Sequence, residues 1–363
     1  MKTPVPLFVF TTTCLFLFTL LSCGLDTDDE DVVEPGPVEF KAARPASGSI
    51  LRPGESIIVY FSAPPENLTV EPGTVSGSGI RVTITGAFSL GSLTVELTWT
   101  DGTQTLEYTV IPKGMILIRE GNFQMGSDSE MASDDEQPIH NVFVDSFFID
   151  EHEVTVGEYK SFVETTGHQE PDWQEILPYA PTDQHPIVYV SWHDAMAYAM
   201  WVGKRLPTEA EWEKAARGGL IAKTYPWGNI SPQDSRCNFA DQNLTLYWWS
   251  DKNADDGYAF TAPVGSYPEN DYGLFDMAGN VLEWCLDKYN ADFYTISQED
   301  NPFSGTNTVH EISKNFESVQ SNRVLRGGSW IVTANNVRSS TRFFLPPESK
   351  SNTVGFRCAV GLQ

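Results

Sequence analysis

Residues Asp271–Trp284, read as DYGLFDMAGNVLEW, constrain the fold of this chain more than any other stretch. Two carboxylates, Asp276 and Glu283, flank Gly279 and Asn280. Both Gly and Asn tolerate positive φ, so the pair favours a tight turn. Such a turn lets two carboxylates and the backbone carbonyls between them converge on one centre, as a hard cation such as Ca²⁺ requires. Taken alone, the same residues also suit a solvated acidic loop.

With 363 residues the chain has room for two or three domains. Its 49 acidic residues against 23 basic ones give a net charge of −26, which repels phosphate backbones, so no nucleic-acid partner is expected. The N-terminus reads as an export signal, with Lys2 before the apolar run Leu7–Leu21. That run falls short of the roughly 20 apolar residues a membrane helix needs. The segment Leu20-Leu21-Ser22-Cys23-Gly24 resembles the lipobox of bacterial lipoproteins, the alternative being an ordinary cleaved signal with an incidental cysteine. The expectation is a signal peptide over 1–22 and a Cys23 whose acyl chains hold the protein to the cell envelope, at an outer membrane or cell surface. An acidic, Pro/Gly-bearing tether over 23–37 comes next. Cys14 leaves with the signal, so Cys237, Cys285 and Cys358 remain, an odd number with no CxxC spacing.

Residues 38–112 alternate β-prone runs with turns: Ser56–Ser62, Gly79–Thr85, Ser92–Trp99 and Thr105–Ile111. Asp101-Gly102 between the last two is a hairpin signal, and strands at this spacing suggest a small β-sandwich. The opening RPASGSILRPGESIIVYFS loosely resembles bacterial Ig-like domains, which implies a spacer or adhesion unit. From Met115 the texture becomes aromatic- and Gly-rich, with short helices opened by capping boxes at Thr155/Glu158, Ser191/Asp194 and Thr208/Glu211. Glycines stop them near Gly167, Gly203 and Gly218-Gly219. Phe162, Tyr198, Trp201 and Trp212 are expected in the core, and loops are expected to dominate beyond Arg217.

The segments MILIREGNFQMGSD, VDSFFIDEHEVTVGEY, HPIVYVSWHDAMAYAMWVGKRLPTEAEWEKAARGG, YPWGN, TAPVGSYPENDYGLFDMAGNVLEW, RVLRGGSW and GFRCAV occur in this order. Together they resemble the sulfatase-modifying-factor domain, the fold of the formylglycine-generating enzyme, over residues 115–360, which sets a domain at 113–363. The resemblance implies a loop-rich α+β fold related to C-type lectins, behind the small all-β module. It also implies two structural Ca²⁺ sites. The first would use side chains of Asn238 and Asp256 with the carbonyls of Phe239 and Tyr258. The second would use Asp276 and Glu283 with the carbonyls of Gly279 and Val281, and the family's enzyme has Asn where this chain has Asp276.

The copper centre implied by the resemblance does not carry over. The enzyme holds Cu(I) between two cysteines just after its GGS(Y/W) motif; here Gly327-Gly328-Ser329-Trp330 leads to Val332 and Val337 at those positions. Valine has no lone pair for a soft metal. Leu282 replaces a second characteristic aromatic beside that centre. The resemblance implies a structural disulfide at Cys358, but its partner position is Ala216, so Cys358 is either free and buried or paired with Cys237 or Cys285. None of the six histidines forms HExxH or a close helical pair. Arg326, Arg338 and Arg342 are expected to tie loops to acids.

These readings add up to an extracytoplasmic lipoprotein whose calcium-stabilised domain has lost copper chemistry and acts in binding or assembly; lipoproteins of the gliding-motility and secretion machinery resemble this plan and lack the copper cysteines. The groove around Ser329, Trp330, Val332, Val337 and Leu282 would be an apolar surface for a protein or glycan partner, with Tyr247, Trp248 and Trp249 available for stacking on sugar rings. The competing reading is a sulfatase-modifying oxidase acting on a protein cysteine.

Overall fold

The computed structural model describes residues 36–232, 236–245, 247–305 and 308–362. The export signal, Cys23 and nearly all of the tether lie outside these residues.

Two four-stranded sheets form the N-terminal module. One orders Phe40–Arg44, Ile57–Phe61, Arg81–Thr85 and Thr74–Ser76, and the other Ile50–Leu51, Gly102–Val110, Gly91–Trp99 and Thr69–Glu71. In Gly91–Trp99 every second residue is buried, the period that places one face of a strand against a facing sheet. Leu51, Ile57, Val59, Ile84, Val95, Leu97 and Val110 fill the space between the sheets, so the module is a β-sandwich with its own core. The hairpin turns one residue earlier than the Asp-Gly signal: Trp99 pairs with Gly102, leaving Thr100 and Asp101 as the loop. Leu90 packs against a small cluster built on Ile111, Met115 and Phe148, which joins this module to the C-terminal part.

The C-terminal part mixes three small sheets with short helices. A hairpin pairs Gly121–Met125 with His140–Val144, a three-stranded sheet orders Ala359–Gly361, Phe147–Asp150 and Met115–Ile118, and a four-stranded sheet orders Phe343–Leu345, Arg323–Arg326, Leu282–Lys288 and Val354–Gly355. The three helices announced by capping boxes are present at Val156–Thr166, Trp192–Trp201 and Glu209–Arg217, each with both reciprocal cap bonds. Gly167 and Gly218 end the first and third in the left-handed conformation. A fourth box, Thr308/Glu311, opens the helix Val309–Lys314 in the region expected to be mostly loop.

Helix Glu209–Arg217 is buried along its whole length, charges included. Its acids are neutralised from a distance: Arg326 Nη2 lies 2.5 Å from Glu213 Oε2, and Arg342 Nε lies 2.6 Å from Glu209 Oε1. Arg338 pairs with Glu136 in the same manner. These are the loop-to-acid ties expected of the three arginines. Phe162, Tyr198 and Trp212 are buried, but Trp201 is not: it sits at the helix end, 39% exposed, with its ring 5.4 Å from that of Phe162. Cys237, Cys285 and Cys358 are free and buried in three separate apolar clusters. Among the described residues no helix is long and apolar enough to cross a membrane.

Candidate metal centre and the filled groove

The turn that closes Asp271–Trp284 is built from left-handed residues: φ is 57° at Asp276, 78° at Gly279 and 58° at Asn280. Gly279 is required on a second ground, since a Cβ there would lie 2.0 Å from the carbonyl oxygen of Asn238. The Asn238 backbone runs parallel to Gly279, and Asn280 N–H donates to Asn238 O at 2.9 Å. The turn thus lays one oxygen-rich stretch directly on the other.

The first expected ligand set is brought together. Asp256 accepts from Phe239 N–H at Oδ2 and from Tyr258 N–H at Oδ1, both at 2.9 Å, so three of the four residues share one carboxylate. Asn238 donates through Nδ2 to Phe260 O at 2.7 Å, which leaves its buried Oδ1 without a partner. Burial, with Asp241 adding to it, pushes the Asp256 carboxyl up to about 7 against the pull of its two backbone N–H donors.

The second set is only partly free. Asp276 accepts from Gly265 N–H at Oδ2, 2.7 Å, and its Oδ1 is buried and unpartnered. Glu283 is engaged on both oxygens: Oε2 accepts from Arg357 Nε and Trp212 Nε1, each at 2.7 Å, and Oε1 accepts from Arg357 Nη2 at 2.8 Å. A carboxylate has about four acceptor positions, so a cation would share Glu283 with Arg357 rather than own it. Sequence reading missed Glu153, which accepts from Asn280 Nδ2 at 3.0 Å and presents a buried, unpartnered Oε2. Its pKa is driven well up by burial and then by Asp276, the sign of two acids held together.

Three buried oxygens of this turn, Asn238 Oδ1, Asp276 Oδ1 and Glu153 Oε2, therefore receive no N–H or hydroxyl donor among the described residues, and the Asp276 and Glu153 carboxyls lie close enough to share a proton. Buried acceptors are rarely left unpaired, and an all-oxygen set suits a hard cation. No three His, Cys, Asp or Glu side chains group tightly enough among the described residues to hold an ion by themselves. A cation here would draw on amide and carbonyl oxygens as well, as both expected sets do.

The Gly-Gly-Ser loop rests on this turn: Gly279 N–H donates to Gly327 O at 2.9 Å and Trp330 N–H to Asn280 O at 3.0 Å. Val332 and Val337 do face one another across Gly328. A Cβ on that glycine would meet Val337 Cγ1 at 2.8 Å and Val332 Cγ2 at 3.2 Å. Val337 is buried in a cluster with Tyr225, Cys237, Phe239, Ala254 and Ala278, and Val332 packs against that cluster half-buried. Trp330 is buried against Tyr179 and Phe260, and Ser329, Leu282 and Val337 are buried too. Of the residues expected to form an apolar groove, Leu282, Ser329, Trp330 and Val337 are thus buried side chains, while Val332 is half-buried and Asn335 and Asn336 are exposed. Beside them lies an exposed aromatic shelf, with Trp248 89% exposed and Trp249 donating to Ile331 O at 3.1 Å.

This scaffold defines a class, a mixed α+β fold rich in small sheets and related to C-type-lectin-like domains. The solved structure of PvdO from Pseudomonas aeruginosa shares it at a TM-score of 0.55 and 27% identity, over 68% of this chain and 94% of that one. The family is specific: the Sulfatase-modifying factor enzyme 1-like domain matches residues 104–362, and the chain belongs to that family. The formylglycine-generating enzyme of Thermomonospora curvata is 35% identical over 298 residues, 69% of this chain and 94% of that protein. The inactive C-alpha-formylglycine-generating enzyme 2 of Bos taurus is also 35% identical, over 68% of this chain and 88% of its own.

Proposed function

We propose that this chain is a lipid-anchored envelope protein whose family domain is a calcium-stabilised binding or assembly module without oxidase chemistry. The observation that carries the reading is the valine pair. Val332 and Val337 occupy both thiol positions implied by the family, and their methyl groups converge beside Gly328, Val337 buried in an apolar cluster and Val332 half-buried against it. Hydrocarbon there offers Cu(I) no lone pair. The nearby Cys237 is a single thiol, buried in the same cluster, and burial raises its pKa well above the ordinary range, against thiolate ligation. A relative named as inactive supports the same direction.

Calcium is supported by the unpaired oxygens of Asn238, Asp276 and Glu153. The anchoring role rests on the Cys23 segment alone. The shelf Tyr247–Trp249 is the surface offered to a protein or glycan partner, since an exposed tryptophan beside a partly exposed one is an unusual use of apolar area. Incubating the protein with Cu(I) and a Cys-x-Pro-x-Arg peptide in air tests the reading: no conversion of the cysteine is expected, and turnover overturns it.

A further inference from the structure

The buried arginines of the C-terminal domain follow one rule, with a single exception among the described residues. Arg217, Arg326, Arg338, Arg342 and Arg357 each meet a glutamate within salt-bridge distance. Lys214 has no carboxylate but gives its ammonium to two carbonyl oxygens, Gly121 O at 2.9 Å and Val144 O at 3.1 Å. Arg323 breaks the rule. It is only 4% exposed, its guanidinium lies 4.9 Å over the Trp192 ring, and it forms no ion pair among the described residues. Its Nη1 donates to Leu286 O and its Nη2 to Ser321 Oγ, both at 2.8 Å, while Nε has no partner. Of five N–H groups three remain unused. The neighbouring Asp287 makes no salt bridge to it: its oxygens accept from Glu209 N–H and Ser304 N–H, and its charge reaches Arg323 only at longer range.

Arg323 lines a cavity of about 210 Å³ together with Lys288, Asn315, Ser318, Val319 and Ser321. Lys288 is exposed at the strand end and has no carboxylate partner among the described residues. Ser321 accepts from Arg323 and keeps its hydroxyl hydrogen to give, and Asn315 spends one amide hydrogen on Glu311 O and keeps the other. Two full positive charges and two neutral donors therefore line one hollow in a chain of net charge −26.

We infer that this cavity binds a small tetrahedral oxyanion, phosphate or sulfate, free or as the head of a monoester. The stacked guanidinium keeps one N–H free on each of Nη1 and Nη2 for such oxygens, and Lys288 supplies a mobile point charge from the mouth. The anion supplies the counter-charge that every other buried arginine named above receives from glutamate. The site stands apart from the valine pair, so it holds or fails independently of the oxidase question.

Calorimetric titration of the full chain at constant ionic strength, with chloride as the balancing salt, tests it. Inorganic phosphate and sulfate are expected to give saturable binding, and acetate at least tenfold weaker binding. Lys288→Gln lies at the surface and should weaken the affinity about tenfold with the melting temperature unchanged; Arg323→Lys, which keeps the charge but not the fork, should weaken it as well. Glycerol 3-phosphate binding as tightly as phosphate identifies a monoester ligand, and its exclusion identifies the free ion. No saturable binding beyond chloride, acetate binding as tightly as phosphate, or a Lys288→Gln protein that titrates like the wild type overturns the assignment.

Discussion

Replacing Arg338 by Met removes a buried cation whose loss the structure makes costly. Glu136 and Arg338 are 202 residues apart in sequence and meet in two bonds of 2.6 Å, with Ser340 Oγ adding a third at 2.6 Å. Both side chains are essentially excluded from water. Methionine leaves the Glu136 carboxylate buried with only Ser340 and the Ser133 N–H, and breaking a buried pair in this way costs about 3–5 kcal/mol. For a domain of this size that lowers Tm by roughly 6–20 °C. The pH dependence distinguishes this from simple repacking. In the wild type, burial raises the Glu136 pKa but the Arg338 bonds, Ser340 and Ser133 outweigh it, so the carboxyl sits below its usual value. Its contribution is therefore present above the unfolded pKa and lost as pH falls through the folded one. In Arg338→Met burial acts unopposed by the arginine, the pKa rises, and the variant regains stability as pH falls. Urea unfolding between pH 4 and 8 should show the gap between the proteins shrink on acidification. A cost below about 1 kcal/mol, or a gap that stays constant with pH, would show that the ion pair is not what holds these segments together.

Removing bound cation with a chelator should destabilise the domain by about 2.7 kcal/mol for each site held at a hundredfold excess over its Kd, read as a fall in Tm that added Ca²⁺ reverses. Gly279→Ala combines a φ of 78° with a Cβ driven to 2.0 Å from Asn238 O, and should cost more than about 3 kcal/mol or prevent folding, judged by circular dichroism. Asp194 is held at about 2: burial opposes this, and Lys350, Ser191 and His168 prevail. Its roughly 2 kcal/mol is present above about pH 3.8 and lost as pH falls toward 2, so Asp194→Asn should be weaker than wild type at neutral pH and level with it near pH 2. The double variant Val332→Cys/Val337→Cys places two thiols across Gly328 and should bind Cu(I), detected by its ultraviolet sulfur-to-copper band.

What the sequence discloses here is the local chemistry. The positive φ of Gly279 and Asn280 and three capping boxes are settled within four residues, and each is found where its residue types require it. The Thr308/Glu311 box is equally legible, but a search for helical periodicity passes over a helix as short as Val309–Lys314. Long-range pairings are another matter. Glu153 reaches Asn280 across 127 residues and Arg357 reaches Glu283 across 74, and neither contact leaves a local signature. The identity of Val332 and Val337 excludes sulfur ligation from sequence alone. That their methyl groups converge beside Gly328 depends on the approach of that glycine, which only the fold supplies. Trp201 shows the converse limit: an aromatic in a buried helix is exposed once it falls on the last turn.

Elemental mass spectrometry on protein purified without chelator and exposed to Cu(I) is the most direct test of a domain held by oxygen ligands and stripped of its soft-metal centre. Calcium should be retained and copper should wash out. Copper retained at one ion per chain after gel filtration would contradict this reading.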